Sequence, residues 1–120
     1  MKMLINFKLF AQLYVETQQY NDMDVYIAER GWQDWMNDYS EDQVVYILKT
    51  IYQMAKMSFT DLRTFGGYSS RVSFCDTFKI PVKTVQKWDY EVSSTADYTK
   101  MFIAYILFIK ADKEADDEQD

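Results

Sequence analysis

Lys83, Gln86 and Lys87 recur at i, i+3 and i+4, so any helix that contains them carries all three on one face. A lysine ammonium reaches guanine acceptors or phosphate oxygens, and a glutamine amide can pair with adenine through two hydrogen bonds. Val82 and Lys83 stand where such a helix would begin, the end from which base edges are met first. Ser69, Ser70, Arg71 and Lys79 lie upstream and are candidate phosphate anchors. The same residue types also populate ordinary solvated helix faces, and spacing alone does not separate the two readings. Thr84 reads as a packing and capping residue, and Trp88 as core.

Catalytic chemistry finds little support. The chain has no histidine, the commonest general base and metal ligand. Cys75 is the single cysteine, which excludes an internal disulfide and fits a reducing cytoplasm. With no base beside it, it reads as a small buried hydrophobe. Asp22, Asp24, Glu29, Asp34, Asp38, Glu41 and Asp42 crowd into 21 residues, but no calcium-loop pattern orders them. No enzyme, cofactor or metal site is expected. The acids read as a solvated face rich in helix N-terminal carboxylates. A sharper reading makes them an anionic surface that imitates nucleic acid and fills a basic groove on another protein. Trp32, Trp35 and Tyr39, with Tyr26 and Met36, either fill a core or form such a surface. Trp32, Asp34, Trp35, Asp38 and Tyr39 are the candidate protein-binding residues.

Charge is unevenly distributed. Residues 1–68 hold six basic and nine acidic residues, net −3, and residues 69–110 hold six and four, net +2. The last ten carry one lysine against six acids, net −5. The overall −6 opposes binding to phosphate backbones, while the positive balance falls on the Lys83–Lys87 region. No apolar run reaches the ~18 residues of a membrane span, and Met1 to Phe10 lacks the cleavage site of a signal peptide. A cytoplasmic protein with no membrane partner is expected.

The elements that would position these residues are helices. Leu4 to Thr17 has apolar residues at helical spacing, and Asn21-Asp22 breaks it. Asp24 is expected to cap a helix from Val25 to about Arg30, ended by Gly31. Ser40-Glu41-Asp42-Gln43 is a capping box that opens a helix with Val44, Val45, Ile47, Leu48, Ile51, Tyr52 and Ala55 on a broad apolar face. Ser58 to Asp61 starts another, carrying Phe59, Leu62 and Phe65 and ended by Gly66-Gly67. Ser69 or Ser70 caps the next, with Val72, Phe74, Cys75 and Phe78 inward. Pro81 suits the first turn of the helix that follows. Ser93-Ser94-Thr95 is a turn and cap before a final helix bearing Tyr98, Met101, Phe102, Tyr105, Ile106 and Ile109. No segment alternates as a strand would. The expected fold is all-α, a helical bundle containing a helix-turn-helix with an additional N-terminal helical segment. Its parts are residues 1–57 for interaction or dimerisation, 58–111 for the helix-turn-helix domain, and 112–120 as a disordered acidic tail.

From Ile51 to Ile109 the order of landmarks resembles small phage and Gram-positive proteins with a helix-turn-helix of the lambda-repressor/Cro (Xre-like) kind. The matching run is Ile51-Tyr52, Met54-Ala55, Met57-Ser58, Leu62-Arg63, Gly67-Tyr68-Ser69, Phe74, Phe78, Ile80-Pro81, Thr84-Val85-Gln86, Trp88-Asp89 and Asp97-Tyr98. The resemblance implies that helix 70–77 braces against the DNA backbone while helix 81–90 reads the groove. Three positions depart from the family pattern. Ser70 stands where a Gln is common, Glu91 where a Gly is usual, and Val92-Ser93-Ser94-Thr95 where basic residues and Pro often follow.

Two functions therefore stand as expectations. The first is a non-catalytic transcriptional regulator of phage or mobile-element type that binds double-stranded DNA, weakly or to regulate its own synthesis, as a homodimer. The second is a phage-type inhibitor (anti-CRISPR-like) or antitoxin that meets a nuclease or toxin through its acidic, aromatic surface.

Overall fold

A computed structural model describes residues 5–91 and 96–118, with side chains to Ala111. The described chain is all-α, with no strand. The expected positions Leu4 and Ser93 to Thr95 lie outside the described residues. Two compact units are distinguished: the first holds the residues up to Lys56 together with those after Ala111, the second is Met57–Ala111.

In the first unit, α1 spans Phe7–Thr17 and is opened by Asn6, whose side chain accepts the Leu9 amide at 2.8 Å. Such a cap is worth about 1 kcal/mol. Phe10, Leu13, Tyr14 and Thr17 are buried, the i, i+3, i+4, i+7 stripe of an amphipathic helix. Helix α2 is Met23–Arg30. Its cap is Asp22, which accepts from Val25 N at 3.0 Å, and not the expected Asp24, which lies in the first turn. Asp22 has the extended backbone a cap requires, so the helix starts two residues early. Gly31, at φ 72°, ends it in a conformation that disfavours side-chain-bearing residues. After Gly31, Asp34–Asp38 forms a 3-10 turn in which only Met36 is buried.

Helix α3, Glu41–Lys56, begins at the capping box: Ser40 N donates to Gln43 Oε1 at 2.9 Å and Gln43 N to Ser40 Oγ at 3.2 Å. Val44, Ile47, Leu48, Ile51 and Tyr52 are buried, whereas Val45 is exposed at the edge of the stripe. Tyr26 packs on Tyr52 and Tyr20, with ring centroids at 5.9 and 5.2 Å. The Tyr20 carbonyl accepts from both Tyr52 Oη and Lys56 Nζ, fastening the α1–α2 connection to α3.

In the second unit, α4 is Phe59–Phe65, α5 Arg71–Phe78 and α6 Val82–Asp89; α7, Asp97–Glu118, belongs to it as far as Ala111. Ser58 accepts the Asp61 amide at 3.1 Å and Gly66 closes α4. Gly66 is required by close approach, since a Cβ there would lie 2.5 Å from Leu107 Cδ2 of α7. Phe59, Tyr68, Phe74, Phe78 and Trp88 form one aromatic cluster: Phe74 stacks on Phe78 at 4.4 Å, and Phe59 meets Trp88 edge-on at 5.1 Å. Three expectations about facing are corrected. Val72 is 69% exposed, because the inward line of α5 runs through Phe74, Cys75 and Phe78. Phe65, in the last turn of α4, is exposed too. On α7 the buried residues are Ile103, Ala104, Leu107 and Phe108, while Tyr98, Phe102 and Ile106 are exposed. Both stripes of α7 are apolar, so period alone does not choose between them. The small Ala104, fully buried, permits close packing. The helix runs on to Glu118, through most of the segment whose composition reads as a disordered tail.

Candidate nucleic-acid interface

Helices α5 and α6, eight residues each, are joined by Lys79, Ile80 and Pro81 alone. Ser70 caps α5 by accepting the Ser73 amide at 3.3 Å. Lys79 ends it in the left-handed region, at φ 57° and ψ 37°, and donates its amide to Cys75 O at 2.8 Å. Pro81 has no amide proton to leave unsatisfied, and its carbonyl accepts from Thr84 and Val85, which starts α6 at once. Val85 is fully buried, and Trp88 lies against Phe59.

What fixes α6 against α4 and α5 is a buried ionic hub. Asp89, with a side chain 4% exposed, accepts from Thr60 Oγ1 at 2.7 Å, from Arg63 Nη2 at 3.1 Å and from Arg71 Nε at 2.5 Å. Arg63 Nη1 continues to the Tyr68 and Ser69 carbonyls at 2.7 and 2.8 Å. Burial pushes the Asp89 carboxyl upward, but its bonds to Thr60 and Arg71 and the Arg63 charge outweigh that and hold it below the usual carboxylate range. Arg71 is raised, first by its bond to Asp89, and its guanidinium also sits 4.8 Å from the centre of the Tyr90 ring.

The outward side of α6 is left basic. Its one acid, Asp89, is turned inward, and Val82, Lys83, Gln86 and Lys87 are exposed. Lys83, Gln86, Lys87 and Tyr90 line a shared hollow of about 400 Å3. The sequence-based candidates thus divide. Lys83, Gln86 and Lys87 come together, with exposed Val82 at the helix start. Ser70 is engaged as a cap, and Ser69 offers its carbonyl to Arg63. Arg71 is bound to Asp89 and Tyr90, and Lys79 stands in solvent 3.8 Å from Asp76. Sequence reasoning missed Tyr90, although it follows Gln86 and Lys87 at helical spacing, and missed the Thr60–Arg63–Asp89 hub. The signal for the hub was an acid directly after a core tryptophan, with the matching arginine 26 residues away.

The remaining candidates, Trp32, Asp34, Trp35, Asp38 and Tyr39, belong to the first unit. Trp32 is 57% exposed and donates its indole N–H to Asn37 Oδ1 at 2.8 Å. Trp35 meets Tyr39 edge-on at 6.1 Å, and Asp34 and Asp38 are exposed. Cys75 is buried, which pushes its thiol up and away from nucleophilic use. Among the described residues no group of three or more His, Cys, Asp or Glu side chains could hold a metal, and no helix is long and apolar enough to cross a membrane. No protein-family model, curated protein or solved structure matches this chain.

Proposed function

We propose that the chain is a non-catalytic, Xre-like helix-turn-helix protein that reads double-stranded DNA through α6 and regulates transcription as a homodimer. The observation that carries this reading is the basic face of α6, which exposes Lys83, Gln86 and Lys87 while the helix's only acid is buried in the hub. A helix presented to the major groove needs an outward polar face and a fixed orientation on its neighbours. The Asp89 hub supports the second requirement, and the three-residue turn supports the short helix–turn–helix spacing. Val82 and Lys83, at the helix start, are assigned to base edges: the lysine to guanine acceptors and the valine to a thymine methyl. Gln86 is assigned to adenine, and Lys87 to phosphate. Arg71, held by Asp89, supports the frame and is not assigned to the DNA.

Fluorescence anisotropy against the chain's own upstream DNA and a scrambled duplex, at several salt concentrations, tests the reading. Tighter binding to the upstream duplex, weakening steeply with salt, is expected. Lys87→Glu should lower affinity for both duplexes and flatten the salt slope by about 1. Lys83→Glu should erase the preference between them. Equal binding of both variants and the parent overturns the assignment.

A further inference from the structure

The first unit contains an apolar groove that the DNA reading does not use. Ile27 of α2, Trp32, Met36 and, from α3, Val44, Val45 and Leu48 surround an open groove of about 230 Å3, with Glu41 at its rim. Sites for cofactors and comparable ligands run roughly 300–1,000 Å3, so this groove suits one or two apolar side chains. Its wall is preorganised. The indole N–H of Trp32 is already spent on Asn37, so the ring is held in place while more than half of the residue stays exposed. A rigid tryptophan at the lip of an apolar groove loses little conformational freedom on binding and is a common hot-spot residue.

Charge decides the occupant. From Trp32 to Tyr46 the chain carries Asp34, Asp38, Glu41 and Asp42, all exposed, and no basic residue. Asp34 and Asp38 flank the groove residue Met36 by two positions on either side, and Asp42 follows the rim residue Glu41. The cations nearest in the chain are Arg30, which precedes the groove residue Gly31 but has a side chain 5% exposed and paired with Glu16, and the exposed Lys49, which follows Leu48; the four acids outnumber them. The indole face also attracts cations through its ring quadrupole. A second copy meeting it groove to groove would bring the same acids, and like charges meeting across an interface oppose association. We propose that this groove docks a basic segment of another protein, with an apolar side chain inserted beside Trp32 and flanking lysines or arginines against Asp34, Asp38, Glu41 and Asp42.

The test uses the full chain and a displayed library of random twelve-residue peptides, followed by titration of selected synthetic peptides with isotope-labelled protein. The expected consensus is an aliphatic or aromatic anchor flanked by Lys or Arg, with amide shifts centred on Ile27, Trp32, Val45 and Leu48. Trp32→Ala and Glu41→Lys should each weaken binding about tenfold, and both variants should keep the parent's amide dispersion. Lys83→Glu should leave peptide affinity unchanged, which separates this site from the DNA reading. A neutral or acidic consensus, shifts mapping elsewhere, or full affinity in Trp32→Ala overturns the proposal. So does self-association that Trp32→Ala abolishes, since the occupant would then be a second copy.

Discussion

The two units solve the problem of holding short helices together with different chemistry. The first relies on apolar stripes, Phe10, Leu13 and Tyr14 of α1 and Ile47, Leu48 and Ile51 of α3, which together are almost completely buried. Its ion pair buries the arginine and leaves the acid half wet: Arg30 Nε lies 2.9 Å from Glu16 Oε1, with the Arg30 side chain 5% and the Glu16 side chain 31% exposed. The second unit also has an aromatic cluster, but it places Asp89 and Arg63, 4% and 6% exposed, in its interior. A dry ion pair contributes little net stability relative to apolar residues of the same shape, because desolvation offsets the attraction. What it supplies is direction. Apolar packing tolerates a small rotation of a helix, whereas three donors converging on one carboxylate do not. The unit that presents the basic face of α6 is the one with the directional hub, so a turn of α6 that would move Lys83, Gln86 and Lys87 is opposed there by directional bonds.

The sharpest way to break this comparison is to remove one charge from each unit. Asp89→Asn leaves Arg63 buried without its anion and is expected to cost about 3–5 kcal/mol, enough to unfold a marginal domain. Thr60→Val, which keeps the charges and removes one bond to the carboxylate, should cost roughly 1.5–3 kcal/mol. Glu16→Gln in the half-wet pair should cost roughly 0–1 kcal/mol. Urea unfolding followed through amide signals of each unit measures all three, and equal losses in Asp89→Asn and Glu16→Gln would erase the distinction. Acid unfolding gives the same contrast a sign. The folded Asp89 carboxyl is held below its ordinary range, so its contribution is complete above the unfolded value of about 3.9. It is lost as the pH falls below that value and through the lower folded one. The parent's second unit should therefore lose stability over that acid window more steeply than the same unit of Asp89→Asn, provided the variant folds. Parallel profiles would show that the hub carries no differential charge.

An effect smaller than that of Asp89→Asn tests packing in the second unit. The backbone of Gly66 lies so close to α7 that a methyl would meet Leu107 Cδ2 at 2.5 Å, Cδ1 at 2.7 Å and Cγ at 2.9 Å. Gly66→Ala should thus cost about 1–3 kcal/mol through overpacking, despite alanine's better helix propensity. A neutral result in thermal unfolding would show that Leu107 yields, and that apolar contacts here are as forgiving as the hub is strict.

Much of this fold is legible in the sequence, and the exceptions follow a physical pattern. Local signals translate directly, apart from the α2 cap, which falls on Asp22 and not Asp24. The Ser40–Gln43 box, the Ser58 and Ser70 caps, the Gly31 and Gly66 ends and the Pro81 restart each depend on atoms within a few residues. The inward face of α3 is legible because its polar positions are consistent. The face of α7 is not, because both stripes are apolar and the choice depends on what packs against Ala104 and Leu107. The candidate site divides the same way. Lys83, Gln86 and Lys87 are neighbours by helical period, so their grouping is visible in the chain. The Asp89 hub joins three helices: an acid directly after a core tryptophan marks Asp89 as a buried charge in need of a partner, but a sequence without aligned relatives does not say that the partner is the arginine at 63.

The one stabilising change separates strain from charge at the exit of α6. Both helices of the pair end on side-chain-bearing residues in the left-handed region, Lys79 at φ 57° and Glu91 at φ 59°. This conformation crowds Cβ against the following carbonyl and costs roughly 1–2 kcal/mol for an L-residue. Glu91→Gly relieves that crowding but frees the unfolded chain, which leaves an expected net gain of about 0.5–1 kcal/mol. It also removes an exposed carboxylate one residue beyond Tyr90, the edge of the basic hollow. Glu91→Gln removes the charge and keeps the crowding. If α6 meets phosphates, the two variants should tighten DNA binding alike, by about 2- to 3-fold at low salt with the gain fading as salt screens it, while only Glu91→Gly raises the unfolding midpoint. Tighter binding in Glu91→Gly alone would place the effect in the backbone at the helix exit and leave the charge of Glu91 without a part in it.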